Sequence, residues 1–196
     1  MGSGASGRAL LVAVKLGDNR KVALLLGEGV YTEVRDEKGD TPLLYAVKTG
    51  NVQAVRMMLN EDIDRSARSG DGKGPLELAL DSGNKGMVRC LLECGISPDE
   101  IGHDNNPLLL KAVRFREMDM MNLLFQSGVA PSAAGKDGRT ALHVAAGGGL
   151  IECLDILLAA GADPDAQDDE GVTPLWLVLD TRGPVERMRG LKLLLK

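Results

Sequence analysis

The chain has 196 residues, 44% of them apolar and only 3% aromatic, enough for a packed core but poor material for a β-sandwich or barrel. Its 23 basic and 28 acidic side chains give a net charge of −5 with no Lys/Arg block, which argues against nucleic acid or an anionic membrane as partner. No apolar run approaches the ~18 residues needed to cross a bilayer, so no membrane insertion is expected.

Residues 1–7 read as a flexible segment. Met1-Gly2-Ser3-Gly4-Ala5-Ser6 fits an N-myristoylation pattern and equally a cloning scar or linker, and no apolar stretch of a signal peptide follows it. The acidic excess is confined to one half: residues 1–98 carry 13 basic and 13 acidic side chains, residues 99–196 carry 10 and 15. Three cysteines, Cys90, Cys94 and Cys153, are too few and too unevenly placed for a disulfide framework. They point to a reducing intracellular compartment, cytoplasmic or nuclear.

From residue 8 onward the chain repeats itself. Arg8-Ala9-Leu10, Thr41-Pro42-Leu43, Gly74-Pro75-Leu76, Pro107-Leu108-Leu109, Thr140-Ala141-Leu142 and Thr173-Pro174-Leu175 step by 33 residues each time. Three residues after each Leu comes Ala13, Ala46, Ala79, Ala112 and Ala145. A second apolar triplet holds one further offset, as in Leu24-Leu25-Leu26, Cys90-Leu91-Leu92 and Ile156-Leu157-Leu158. The spacing predicts one domain over 8–196, with units starting near 8, 41, 74, 107, 140 and 173.

Each unit reads as a helix, a turn and a helix. Thr or its equivalent caps the first helix, and Pro fits where no N–H is needed. Leu and the small Ala form a narrow inward face that lets a neighbouring helix approach. Gly17, Gly50, Gly83 and Gly149 end the first helix; Gly29, Gly95, Gly128 and Gly161 end the second. One such unit cannot bury its apolar face alone, so stacking must supply the core.

Gly138-Arg139-Thr140-Ala141-Leu142-His143-Val144-Ala145 and Gly161-Ala162-Asp163 resemble the ankyrin repeat, G-x-T-P-L-H-x-A followed by a Leu pair and G-A-D. Gly39-Asp40-Thr41-Pro42-Leu43 and Gly171-Val172-Thr173-Pro174-Leu175 match its tip and helix start. The resemblance covers residues 8–196. It implies an all-α solenoid of about six units with β-hairpin tips, in which His143 braces a turn. It also implies a non-enzymatic protein-interaction module, without cofactor or metal, that binds a partner segment in a concave groove. The alternative is an intramolecular structural or regulatory spacer in a larger multidomain protein.

Departures from the pattern concentrate late in the chain. Asn105 replaces a tip glycine, and Arg116 replaces a helix-ending glycine, where a left-handed β-carbon residue costs about 1 kcal/mol. The register slips in the last unit by about four inserted residues, and Leu193-Leu194-Leu195-Lys196 offers no polar terminal helix, which suggests a fragment or a covered end.

Other motifs read as structural. Gly70-Asp71-Gly72-Lys73-Gly74 resembles a phosphate loop but lacks its Lys-Ser/Thr ending and falls at a tip position. Cys90 and Cys153 occupy core positions, and no His completes a metal site with Cys90 and Cys94. His103 sits at a solvated tip.

The repeat grid names the residues expected to face a partner. They are Tyr45, Lys48, Asp81, Lys111, Arg114, Phe115 and Asp180 on the first helices, with Leu78 and Thr181 beside them. At the tips they include Asp40, Lys73, Asn106 and Arg139. Phe115 stands among Lys111, Arg114 and Arg116, a composition common at binding hot spots, unless its ring folds back into the core. Trp176, at the motif's His position, reads chiefly as core or cap packing. The basic cluster with Arg139 predicts an acidic or acidic-amphipathic partner segment.

Overall fold

The computed structural model describes residues 4–180 and 183–195. Among these residues the chain is all-α, with twelve helices and no strand. It divides into two compact units, residues 1–97 and 98–196.

The first unit holds α1 (Gly4–Leu16), α2 (Asn19–Gly27), α3 (Pro42–Lys48), α4 (Val52–Leu59), α5 (Pro75–Asp81) and α6 (Lys85–Glu93). The second holds α7 (Leu108–Arg114), α8 (Met118–Gln126), α9 (Ala141–Gly147), α10 (Ile151–Ala159), α11 (Pro174–Asp180) and α12 (Pro184–Leu194). Within each unit consecutive helices pair, first helices pack beside first helices, and second helices beside second. The helix α1 reaches back into the segment expected to be flexible, while residues 1–3, including Gly2, lie outside the described residues.

The inward positions are those the periodicity marks. Leu10, Leu43 and Leu76, with Ala13, Ala46 and Ala79, form the inner layer of the first unit; Leu109, Leu142, Ala112 and Ala145 do so in the second. Cys90 and Cys153 are buried apolar thiols. Burial pushes the Cys90 thiol up to about 11 and raises that of Cys153, keeping both protonated near neutrality. In the sixth pair Val178 takes the alanine position, and Gly190 of α12 faces it.

Second helices start differently in the two units. Asp18, Asn51 and Asn84 cap α2, α4 and α6, each accepting a backbone N–H three residues on, from Lys21, Ala54 and Met87. Glu117 and Leu150, at the same repeat position, give α8 and α10 no side-chain cap. These caps recur every 33 residues as Asp or Asn, a signal present in the sequence but not read there.

Among the described residues, the two non-glycine residues with positive φ are Asn105 at 61° and Arg116 at 57°, the positions singled out by their missing glycines. Replacing Arg116 by glycine should stabilise the second unit by roughly 0.5–1 kcal/mol, read as a higher midpoint in urea. An unchanged or lower midpoint would show that the Arg116 side chain stabilises the turn.

Candidate functional site

Five tight turns recur at the 33-residue step, spanning 36–40, 69–73, 102–106, 135–139 and 168–172. In each, the first residue's N–H donates to the last residue's carbonyl, as Asp36 does to Asp40 and Asp168 to Val172. The hairpin tips expected from the family pattern are therefore turns without strands; two isolated bridges, Ile101 with Pro107 and Ala134 with Thr140, are the only pairing among the described residues.

Side chains pin four of these turns. Asp36 accepts the N–H groups of Lys38 and Asp40, Asp168 those of Glu170 and Val172, Asp104 that of Asn106, and the Ser69 hydroxyl that of Lys73. The glycine run around Gly70 has a packing cause. A β-carbon on Gly70 would collide with the Lys38 carbonyl, and one on Gly39 would sit 3.1 Å from the Gly70 backbone. Close turn-to-turn approach, with no phosphate involved, accounts for that sequence.

Burial opposes ionisation of Asp36 and Asp168, but hydrogen bonds outweigh it. Lys15 and the Asp40 N–H lower Asp36; the Val172 N–H and Arg139 lower Asp168, both below the usual 3.8. Groups with a depressed folded pKa stabilise above their unfolded value and lose that stabilisation as pH falls through the folded one. Stability should therefore decline below about pH 4, and Asp168→Asn should flatten part of that slope in urea titrations. An unchanged slope would assign the acid sensitivity to other carboxylates.

The first unit neutralises its candidate residues internally. Lys48 binds both oxygens of Asp40 at 2.7 Å, and Lys73 lies 2.7 Å from Asp81. Tyr45 is half-buried with the Lys15 ammonium 5.2 Å above its ring, and Lys15 also pairs with Asp36 at 2.9 Å. Asp40, expected at an exposed tip, is buried, and so is Leu78. Both corrections arise because a grid position marks a direction on the helix, not the neighbour that covers it.

The second unit brings other candidates together. Asn106, Arg114, Arg139 and Leu177 line a cleft of about 350 Å³. It adjoins a second of about 430 Å³, lined by Arg139, Glu170, Val172, Trp176, Leu177, Leu179 and Asp180. Arg139 and Leu177 belong to both, so the two form one groove across the turns and first helices. Phe115 is 61% exposed, which removes the core-packing alternative, but it caps α7 and does not line the groove. Lys111 and Arg116 also fall outside the lining, and Thr181 lies outside the described residues. Trp176, read from the sequence as core or cap, is 63% exposed in the groove wall. Its place in the first turn of α11 points it away from the layer that buries Val178. The Arg139 guanidinium is committed to the buried Asp168, at 3.0 Å.

His143 is a structural residue. Its Nδ1 accepts the Thr140 N–H at 3.1 Å, and Nε2 lies 2.9 Å from the Val172 carbonyl. An N–H can only donate and a carbonyl only accept, so the ring is the neutral Nε2–H tautomer. No group of three metal-binding side chains assembles among the described residues. No helix there is long and apolar enough to cross a membrane.

Known structures agree with this architecture. The ankyrin repeat domain of Bcl-3 is 28% identical over 95% of this chain and 81% of that one, with a TM-score of 0.85. An ankyrin repeat domain from Acinetobacter baumannii AYE is 27% identical over 95% of both chains, at 0.78. A chain from the complex of a predatory endopeptidase of Bdellovibrio bacteriovorus with an immunity protein is 24% identical, covering 99% of this chain and 98% of that one, at 0.72. No curated protein matches in sequence. Ankyrin repeats are generally protein–protein interaction modules, and their fold is a non-catalytic one. The family model for ankyrin repeats matches residues 10–102 and 108–192, and with the register of turns and paired helices described above, this chain belongs to the ankyrin-repeat family.

Proposed function

We propose that the chain is a non-enzymatic module that holds a segment of another protein along the groove of its second unit. The carrying observation is Trp176, an indole left largely in water beside Leu177 and Leu179, with Arg114 and Asp180 at the two ends. Burying such a ring at an interface contributes about 2 kcal/mol or more.

The acidic-amphipathic preference expected from the sequence retains Arg114, whereas the charge of Arg139 is already answered by Asp168. We place the protein in a reducing compartment, cytoplasm or nucleus, in keeping with its three free thiols.

The test is comparative affinity capture with mass spectrometry. Proteins retained by the intact chain should be lost with Trp176→Ser and kept with Phe115→Ala. Retention by both variants would move the interaction to another surface.

A second reading has its own support. Val12, Leu16 and Leu24 are exposed on α1 and α2, and Val185 and Met188 on α12, apolar faces that further domains of the same protein would cover. In that case the groove variants would leave capture unchanged, while Leu16→Glu would alter docking within the longer chain.

A further inference from the structure

The turn-to-helix ion pairs of the first unit obey the repeat. Asp40 with Lys48 and Lys73 with Asp81 are the same two positions, eight residues apart, with the signs exchanged. In the second unit these positions hold Asn106 and Arg114, Arg139 and Gly147, and Val172 and Asp180. Each pair has lost one charge. Arg139 turns instead to Asp168. Among the described residues, Arg114 and Asp180 form no ion pair. They stand at opposite ends of one groove with opposite signs.

The surroundings sharpen each end. Asp180 lies one helical turn from Trp176, and Glu170 lines the same cleft. Two carboxylates beside an exposed indole suit a Lys or Arg side chain, which the ring face also attracts. Between the ends, a β-carbon at Gly147 would meet nothing nearer than Leu177, at 3.9 Å, so a partner's backbone can pass close to α9.

We infer that this groove recognises an extended segment of a partner protein carrying an acidic residue for Arg114, a Lys or Arg for Asp180 and Glu170, and a bulky apolar residue for Trp176. This rests on the groove reading above and specifies its partner. Helices pack about 8–10 Å apart, so α7 and α11, with α9 between them, set their charges roughly 16–20 Å apart. An extended chain rises ~3.3 Å per residue, which separates the acid from the base by about five or six residues. The unpaired charges also set polarity, since a reversed segment would place like charges together at both ends.

A displayed library of twelve-residue peptides, panned against the full chain, tests this. The expected enrichment is an acidic and a basic position at that spacing, in one fixed order, with an apolar residue between or beside them. Asp180→Lys should bind the selected peptide roughly tenfold more weakly, and changing the peptide's Lys or Arg to Glu should restore binding to that variant. Arg114→Glu should behave reciprocally. Peptides lost with Trp176→Ser but indifferent to both charge reversals would overturn the dipolar assignment and leave the groove intact. Peptides indifferent to Trp176→Ser as well would overturn both.

Discussion

Replacing His143 by alanine is expected to destabilise the second unit by about 3 kcal/mol, the largest single effect among its polar residues. The ring is 1% exposed and closes two bonds at once, one to the start of its own helix and one to the turn of the next repeat. Alanine leaves the Thr140 N–H and the Val172 carbonyl without their partner, each costing about 1–3 kcal/mol when buried. It also opens a cavity under the turn. His143→Gln should recover about 1 kcal/mol, because a Gln at this helix position can still reach back to the cap N–H. Trp176, the only tryptophan, reports the unfolding of this unit by fluorescence in urea. A loss much below 1 kcal/mol would mean that water replaces the ring at both contacts.

Gly190→Leu separates a sequence argument from a structural one. A glycine inside an eleven-residue helix invites replacement, and helix propensity alone promises a gain near 1 kcal/mol. The structure reverses the sign. A β-carbon there would lie 2.9 Å and 3.2 Å from the two γ-carbons of Val178, which is β-branched, buried and unable to swing aside. We expect a net loss of about 2–3 kcal/mol from overpacking. Val178→Ala, which restores the residue of the other five units, should recover much of it in the double variant. Stabilisation by Gly190→Leu alone would show that α12 can slide without cost.

Both results bear on how far the sequence could be read. The 33-residue step marked the turns and the first five helix pairs, and it anticipated left-handed backbone at Asn105 and Arg116 because glycine was missing from a glycine position. It did not foresee that α4 ends without a left-handed residue at Asp62, where the family glycine is absent. The exchange of Ala for Val178 against Gly190 was also hidden, since the register slips before α12.

The site was less legible. A repeat position says which way a side chain leaves its helix, but not what lies within reach. The pairing of Arg139 with Asp168 joins residues 29 apart in different turns, and only the stacking of turns reveals it. Phe115 and Trp176 were ranked in the wrong order for the groove for the same reason. Phe115, just past the end of α7, lies outside the lining, whereas Trp176, in the opening turn of α11, stands in the groove wall. The pairs of opposite charge eight residues apart were visible, and aligning them would have exposed Arg114 and Asp180.

The uneven capping of the second helices should set the order in which the backbone opens. In α2, α4 and α6 a carboxylate or amide side chain holds an N-terminal amide that has no partner within its own helix. The corresponding amides of α8 and α10 have no side-chain cap, and at α8 the strained Arg116 immediately precedes them. In hydrogen–deuterium exchange, the Met120 and Cys153 amides should label well before those of Lys21, Ala54 and Met87, through local fraying rather than global unfolding. A protease given time would then find its first cut near Arg116, leaving the capped helices whole.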